Sequence, residues 1–463
     1  MNSLALDLGR LVGPERVKTD LEDLHAYSSD AIHYYTSHLP DAVVLPESSE
    51  EISRVVKYAG EHSIPVTPRG AGSGLSAGCT PIRGGLVLDL KRMNRVLEIN
   101  RGNLTAQVEP GVVTANFHRA VEKQRLFYPP DPQSMDVCTL GGNVATRAGG
   151  PRGVKYGATG NYVLGLEVVL PDGEIIRTGG NSVKQSAGYD LTRLLTGSEG
   201  TLGVISRITL RLLPLPQARR TVIVVCGTAD LAANLVSEII ARGTLPAKLE
   251  YLLKGPIALM NRFLPQPLPL DGEAFLLIEL DGTPSQVIDE SNHVESICRE
   301  LQAKEVRVVE DAGQAESYWQ ARKNLNPITM AIFKKMINED VSVPRDRIPE
   351  MVRAIQEISA AVGVGIGFAG HAGDGNIHPA ILLTELSEAA DKKADLAVER
   401  IIKKGLELGG TISGEHGIGL HKARFLPWEL GPVQVELMKR IKQAFDPKNI
   451  MNPGKIWPEG GLA

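Results

Sequence analysis

The chain has 463 residues, 43% hydrophobic and 22% charged, with a net charge of −4. That length predicts two or more domains of an ordinary soluble globular protein, and the charge gives no reason to expect nucleic acid as a partner. Cys79, Cys138, Cys226 and Cys298 are spread wide with no CxxC pair, which argues against an iron–sulfur cluster or zinc ribbon and suits a reducing, cytoplasmic compartment.

In chain order, "MNSLALDLGRLVGPERV" reads as a short amphipathic helix, not a signal peptide. No run reaches about 18 apolar residues, so no membrane span is expected. "AVVLP" (42–46) predicts a strand, and "SSEEISRVVKYAGEHS" a helix capped by Ser48 or Ser49. "IPVTP" returns as a strand and runs into "PRGAGSGLSAG" (68–78). "GLVLDL" and "NLTAQVEPG" predict strands, "TANFHRAVEKQRL" a helix, and "VLGLEVVLPDGEIIRTGG" a hairpin turning at Asp172-Gly173. The mixture lacks regular βα alternation, so the fold class is α+β. Pro214 and Pro216 punctuate a boundary. Beyond it, "TVIVVC", "ADLAANLVSEIIARG" and "AKLEYLL" give strand, helix, strand, and "AFLLIEL" to "VRVVED" repeats the order. Two such units predict a ferredoxin-like sheet with helices on one face. A long helix over 387–408 ends at Gly409-Gly410. The last helix carries Leu430, Val433, Leu437, Ile441 and Phe445 at helical spacing, as a face for burial.

Three glycine loops precede the boundary. The first, residues 68–78, has four glycines just past a strand, with Arg69 beside them. Glycines let several backbone N–H groups turn toward one anion, so a pyrophosphate fits; a sharp turn packed on a neighbour is the alternative. Residues 129–157 and "TGSEGTLGVI" (196–205) add two more, and together they suit one large dinucleotide. Leu75 breaks the G-x-G-x-x-G pattern in the first loop. Gly365, Gly367 and Gly370 complete one elsewhere, but after a predicted helix and leading into a polar loop, so no nicotinamide cofactor is expected.

"PRGAGSGLSAG", "GGNVATRAGGPRGVKYG", "LEVVLPDG" and "GSEGTLGVI", in this order, resemble the FAD domain of the vanillyl-alcohol-oxidase type. "GHAGDGNIHP", "SGEHGIG" and "MNPGKIW" narrow the resemblance to the FAD-linked D-2-hydroxyacid dehydrogenases, which include D-lactate dehydrogenases, D-2-hydroxyglutarate dehydrogenases and a flavin subunit of glycolate oxidase. It covers nearly the whole chain. It implies an FAD-binding domain over 1–216, a ferredoxin-like substrate or cap domain over 217–415 carrying a metal-binding loop, and a 416–463 segment returning to the FAD domain. It implies that FAD is held by Arg69, Gly70, Ala71, Gly72, Ser73 and Gly74 of the first loop. From the second come Pro130, Asp131, Ser134, Gly142, Asn143, Thr146, Tyr156 and Gly157. Glu199, Gly203, Val204 and Ile205 follow, with Asn452 near the end. Some relatives attach flavin through a histidine in the first loop; residues 68–78 contain none, so the implied FAD is non-covalent.

"GHAGDGNIHP" (370–379) holds His371 and His378, and Gly373, Gly375 and Pro379 forbid a helix between them. If the loop folds back, both rings point at one centre. "SGEHGIG" (413–419) adds Glu415 and His416. Two imidazoles and a carboxylate suit zinc, manganese or iron; hydrogen bonding within loops is the alternative. The resemblance implies the same ligand set, His371, His378 and Glu415. A divalent cation lowers the pKa of a substrate hydroxyl, and the neutral imidazole of His416 accepts its proton as hydride leaves for the flavin. Arg322, in "YWQARKNL", is the expected grip on the substrate carboxylate, with a solvated helix-face arginine as the alternative and Lys334 or Lys335 as other candidates.

Relatives acting on diacids often carry a lysine shortly before a "DVSLP"-like run. Here Asn338 precedes "DVSVP", which favours D-lactate or glycolate over D-2-hydroxyglutarate. Two rivals remain, an electron-relay flavin subunit and a non-redox transferase of the same fold. The expected partner is an electron-transferring flavoprotein or an iron–sulfur subunit, with attachment to a peripheral membrane complex left open.

Overall fold

The run "AVVLP" forms strand Ala42–Val44 in the computed structural model, which describes residues 3–32 and 38–457. Ser48 starts the next helix, Ser49–Glu61, by accepting the Glu51 N–H at 3.2 Å. Such a cap contributes about 1 kcal/mol. The helix turns Ile52, Val55, Val56 and Ala59 into a core shared with strands Ala42–Val44, Val66–Arg69 and Leu86–Asp89. These three strands are parallel, and Val17–Lys18 adds an antiparallel edge. At the other edge, Val66 N–H donates to the Ile450 carbonyl at 2.7 Å and Asn452 N–H to the Val66 carbonyl at 2.8 Å. The first glycine loop therefore leaves the carboxyl end of a parallel strand, where open parallel sheets bind ligands. A second, antiparallel sheet runs in the order Val96–Asn100, Thr105–Val108, Val204–Arg211, Val163–Val169, Ile175–Gly179.

The chain divides into two compact units: residues 1–149, 158–215 and 415–463 form the first, and 150–157 with 216–414 the second. The segment 150–157, with Tyr156 and Gly157, clusters with the second unit. A Cβ on Gly153 would collide with the Asp374 carboxylate, and one on Gly373 would lie 2.7 Å from Val154, so only glycine lets these backbones approach.

The second unit is built on one sheet. Its first four strands, Ala218–Cys226, Lys248–Leu253, Ala274–Gly282 and Glu305–Val309, are all antiparallel in spatial order four, one, three, two. That is the ferredoxin-like arrangement. Helices Ala229–Ala241 and Pro284–Glu300 pack side by side on one face. Four further strands extend the sheet: Gly365–His371, Asn376–Leu383, Lys335–Asn338 and Val341–Ser342.

Two expectations need correction. The stretch read as a polar loop, residues 370–379, belongs to a β-hairpin, and the G-x-G-x-x-G that leads into it lies inside a strand. Glycine mimicked a loop here because the strands approach closely: a Cβ on Gly370 would sit 2.6 Å from the Asn376 carbonyl. The other correction concerns helix Pro432–Phe445. Its expected core face is largely at the surface, with Val433 81% and Leu437 57% exposed, and Val435 and Lys442 are the buried positions. Lys442 wins a buried site by donating to the Thr201 and Met451 carbonyls at 2.8 Å each and pairing with Asp446. No helix among the described residues is long and apolar enough to cross a membrane.

Candidate active site

Within the second unit, the hairpin register brings the two histidines together. Ala369 pairs with His378 and His371 with Asn376, so both rings project from one face as diagonal neighbours. Their centroids are 4.9 Å apart, at 79° to each other. The neighbouring strand pairs Tyr251 with Gly370 and Leu252 with Ala369, which sets Glu250 opposite His371. Glu250 accepts a hydrogen bond from His371 Nδ1. Its other oxygen accepts from Arg322 Nε at 2.7 Å and Nη2 at 2.6 Å. Burial raises the Glu250 carboxyl's pKa, but the Arg322 guanidinium and then His371 more than offset this, leaving it at about 2. The carboxylate is therefore charged at neutral pH.

The same face carries more charge. Asp340 Oδ1 lies 3.8 Å from His378 Nδ1, and its Oδ2 accepts from Ser413 Oγ at 2.9 Å. Lys248 pairs with Glu279 at 3.2 Å and stands 4.4 Å over the Trp319 ring. Lys155 Nζ and the Tyr156 hydroxyl both donate to Asp281, at 2.7 and 2.8 Å. The Tyr156 side chain is thus engaged within this unit. Lys335 is paired with Asp391 at 2.8 Å, and Lys334 is exposed.

The first unit offers a different kind of site. Gly72 adopts φ +70°, and a Cβ there would collide with the Arg69 guanidinium; a Cβ on Gly70 would collide with Thr139 Oγ1. Arg69 is buried and donates to the Ser29 carbonyl at 2.8 Å. Asn452, also buried, gives its amide N–H groups to the Gly78 and Glu199 carbonyls at 2.8 and 2.7 Å. Its Oδ1 is buried without a hydrogen-bond partner among the described residues, an acceptor left over for a guest. These features fit a large polar guest such as FAD. Lys455 donates to the Thr80 carbonyl at 2.6 Å, and burial pulls its pKa down to about 8. Pro130 and Asp131 are buried, and the Pro130 carbonyl is 2.9 Å from His118 Nε2. Asn143 donates to Thr114 Oγ1 at 2.8 Å, and Thr146 to the Gly142 carbonyl at 3.2 Å.

Glu199 has a definite task in this unit. Its two carboxylate oxygens accept the N–H groups of Ile418 and Gly419, each at 2.8 Å. Ser76 Oγ donates to the His416 carbonyl at 3.1 Å. The turn carrying Glu415 and His416 is thereby pinned to the first and third glycine loops. Gly149 makes room beside it, since a Cβ there would collide with the Glu415 carboxylate. Glu250 and Asp340 are the functional candidates that motif reading passes over. A signal existed in "AKLEYLL" and "AFLLIELDG", where charged residues interrupt apolar strands at alternate positions and so share one face.

Known proteins place this architecture. Residues 40–179 match the family described as FAD binding domain, and residues 215–456 match FAD linked oxidases, C-terminal domain. The chain is 43% identical over 445 residues to glycolate oxidase subunit GlcD of Bacillus subtilis (strain 168), covering 96% of this chain and 94% of that one. It is 36% identical over 453 residues to a D-lactate dehydrogenase of Anaerostipes hadrus, covering 96% and 95%. The solved structure of p-cresol methylhydroxylase with substrate bound superposes with a TM-score of 0.82 at 20% identity, covering 100% of this chain and 98% of that one. The fold is the α+β FAD-binding architecture of the vanillyl-alcohol-oxidase type, and the protein is an FAD-dependent oxidoreductase. It belongs to the FAD-linked D-2-hydroxyacid dehydrogenase family.

Proposed function

We propose that the chain oxidises a small D-2-hydroxy acid, D-lactate or glycolate, to its 2-keto acid, with non-covalent FAD and a divalent metal. The observation that carries this is the diagonal pair His371 and His378 on one sheet face, their ring centroids 4.9 Å apart. The relatives' names support the substrate class. FAD, held by the glycine loops and Asn452, supplies the two-electron acceptor; a metal supplies a Lewis acid that lowers the hydroxyl's pKa. We assign the metal to His371, His378 and Glu415. Glu415 is bonded directly to Gly414, whose Cβ position would lie 2.7 Å from the Asn376 side chain, on the strand that carries His378. His416 takes the hydroxyl proton as a neutral imidazole. Arg322 spends two of its five N–H donors on Glu250 and retains three for the substrate carboxylate.

Asn338 supports a monocarboxylate. It pairs with Ala380, two residues beyond His378, and so shares that face. Its Nδ2 donates to Asn326 Oδ1 at 3.2 Å, a neutral contact that offers a second carboxylate no cation. The four cysteines fall two in each unit, so neither unit supplies four thiolates. That supports delivery of electrons to an outside acceptor, an electron-transferring flavoprotein or an iron–sulfur subunit. Anaerobic bleaching of the flavin band by D-lactate, glycolate and D-2-hydroxyglutarate tests the reading. Bleaching by one of the first two, with slow reoxidation in air and fast reoxidation by a dye, is expected. Bleaching by D-2-hydroxyglutarate alone, or by none, sinks it.

A further inference from the structure

We infer that Glu250, held by Arg322, is a positioning residue that fixes the His371 tautomer and thereby presents Nε2 as the ligating atom. The inference rests on the metal reading above and concerns a residue outside the ligand set.

Strands Lys248–Leu253 and Gly365–His371 are antiparallel neighbours, paired at Tyr251–Gly370 and Leu252–Ala369. Glu250 and His371 come opposite each other and on the same face. A slip of one residue in either strand would carry that side chain through the sheet, so the contact is specified by the whole pairing. The Glu250 side chain is fully buried, and those of His371 and Arg322 are 4% and 7% exposed. Water does not compete for these groups.

Each oxygen of Glu250 has one assignment. Oε2 takes both the Nε and Nη2 donors of Arg322, and Oε1 faces His371 Nδ1. A carboxylate only accepts hydrogen bonds, so the proton between Glu250 and a neutral His371 sits on Nδ1. The lone pair is then on Nε2, the atom left to bind a cation. Charge agrees: Arg322 and Glu250 cancel, so a neutral His371 leaves the buried trio neutral. Carboxylate partners of this kind orient ligating imidazoles and raise their basicity. Arg322 keeps Glu250 ionised, and a Glu250 lacking it would be an isolated buried charge.

The test has two arms on the full-length, FAD-loaded protein after removal of metal with a chelator. First, histidine-selective nitrogen-15 labelling and a long-range proton–nitrogen spectrum report the tautomer of His371, identified by the signal lost in His371→Gln. Nδ1 protonated and Nε2 bare is expected at pH 7.5; Nε2 protonated overturns the inference. This arm needs no change at Glu250. Second, Zn²⁺ affinity is measured by competition with a chelating dye in wild type and Glu250→Gln, with flavin content confirming that the variant folds. Weakening of about 10- to 100-fold is expected. Unchanged affinity in a flavin-loaded variant overturns the inference. If wild-type protein binds no Zn²⁺, the metal reading fails instead, and the tautomer alone decides the role of Glu250.

Discussion

The two units build their candidate sites from opposite materials. In the first, the loops are shaped by backbone: glycines at positive φ, buried amides, and side chains such as Glu199 and Asn452 that serve main-chain groups. In the second, one face of a sheet is shaped by side chains that pair with one another: His371 and Arg322 with Glu250, His378 with Asp340, and Lys248 with Glu279. The first design suits holding a large ligand through many weak backbone contacts. The second suits holding a small charged centre in fixed geometry. The difference teaches that flavin retention and metal retention should come apart under mutation.

The largest expected effect breaks the second unit alone. Changing His371 or His378 to Ala should remove bound metal and abolish turnover while flavin content stays at wild-type level. Elemental analysis alongside flavin absorbance checks this, and active protein without metal would merge the two regions again. His416→Ala should keep both metal and flavin yet slow anaerobic flavin reduction by about 10²–10⁴-fold, read by stopped flow. An unchanged rate removes His416 from proton transfer.

Lys455 sharpens the comparison through pH, because it is a buried charge in the backbone-built unit. Its folded-state pKa of about 8 lies below the ordinary 10.5. Between those values the unfolded chain binds a proton that the folded chain does not, so stability rises with pH across that window. Wild type should gain on Lys455→Met by on the order of 3 kcal/mol from pH 8 to 10.5, measured by denaturant unfolding at each pH. A flat difference would show that the ammonium is not desolvated. The smallest effect belongs to Gly72→Ala. A left-handed backbone costs an L-residue about 1–2 kcal/mol, so FAD affinity should fall about tenfold with Zn²⁺ affinity unchanged. Loss of both ligands together would contradict the separation.

Local chemistry made much of this legible in the sequence. Ser48 signals its cap, Asp172-Gly173 its hairpin turn, and the glycine loops their turns, because each rests on neighbours within a few residues. The alternating apolar runs after Pro216 were enough for the ferredoxin-like core, since strand and helix periods are local. The family motifs pointed to the flavin and to the two histidines. Tertiary structure alone decided the rest. That the hairpin carrying His371 and His378 pairs with residues 248–253, more than a hundred positions away, is a long-range contact that no local pattern reveals. That Glu250 backs His371 and Arg322 backs Glu250 is a matter of register and packing, which no spacing encodes. The apolar stripe of the last helix makes the same point from the other side. Periodicity announced a buried face, yet burial is set by what packs there, and in the folded chain Lys442 is buried while Val433 meets solvent.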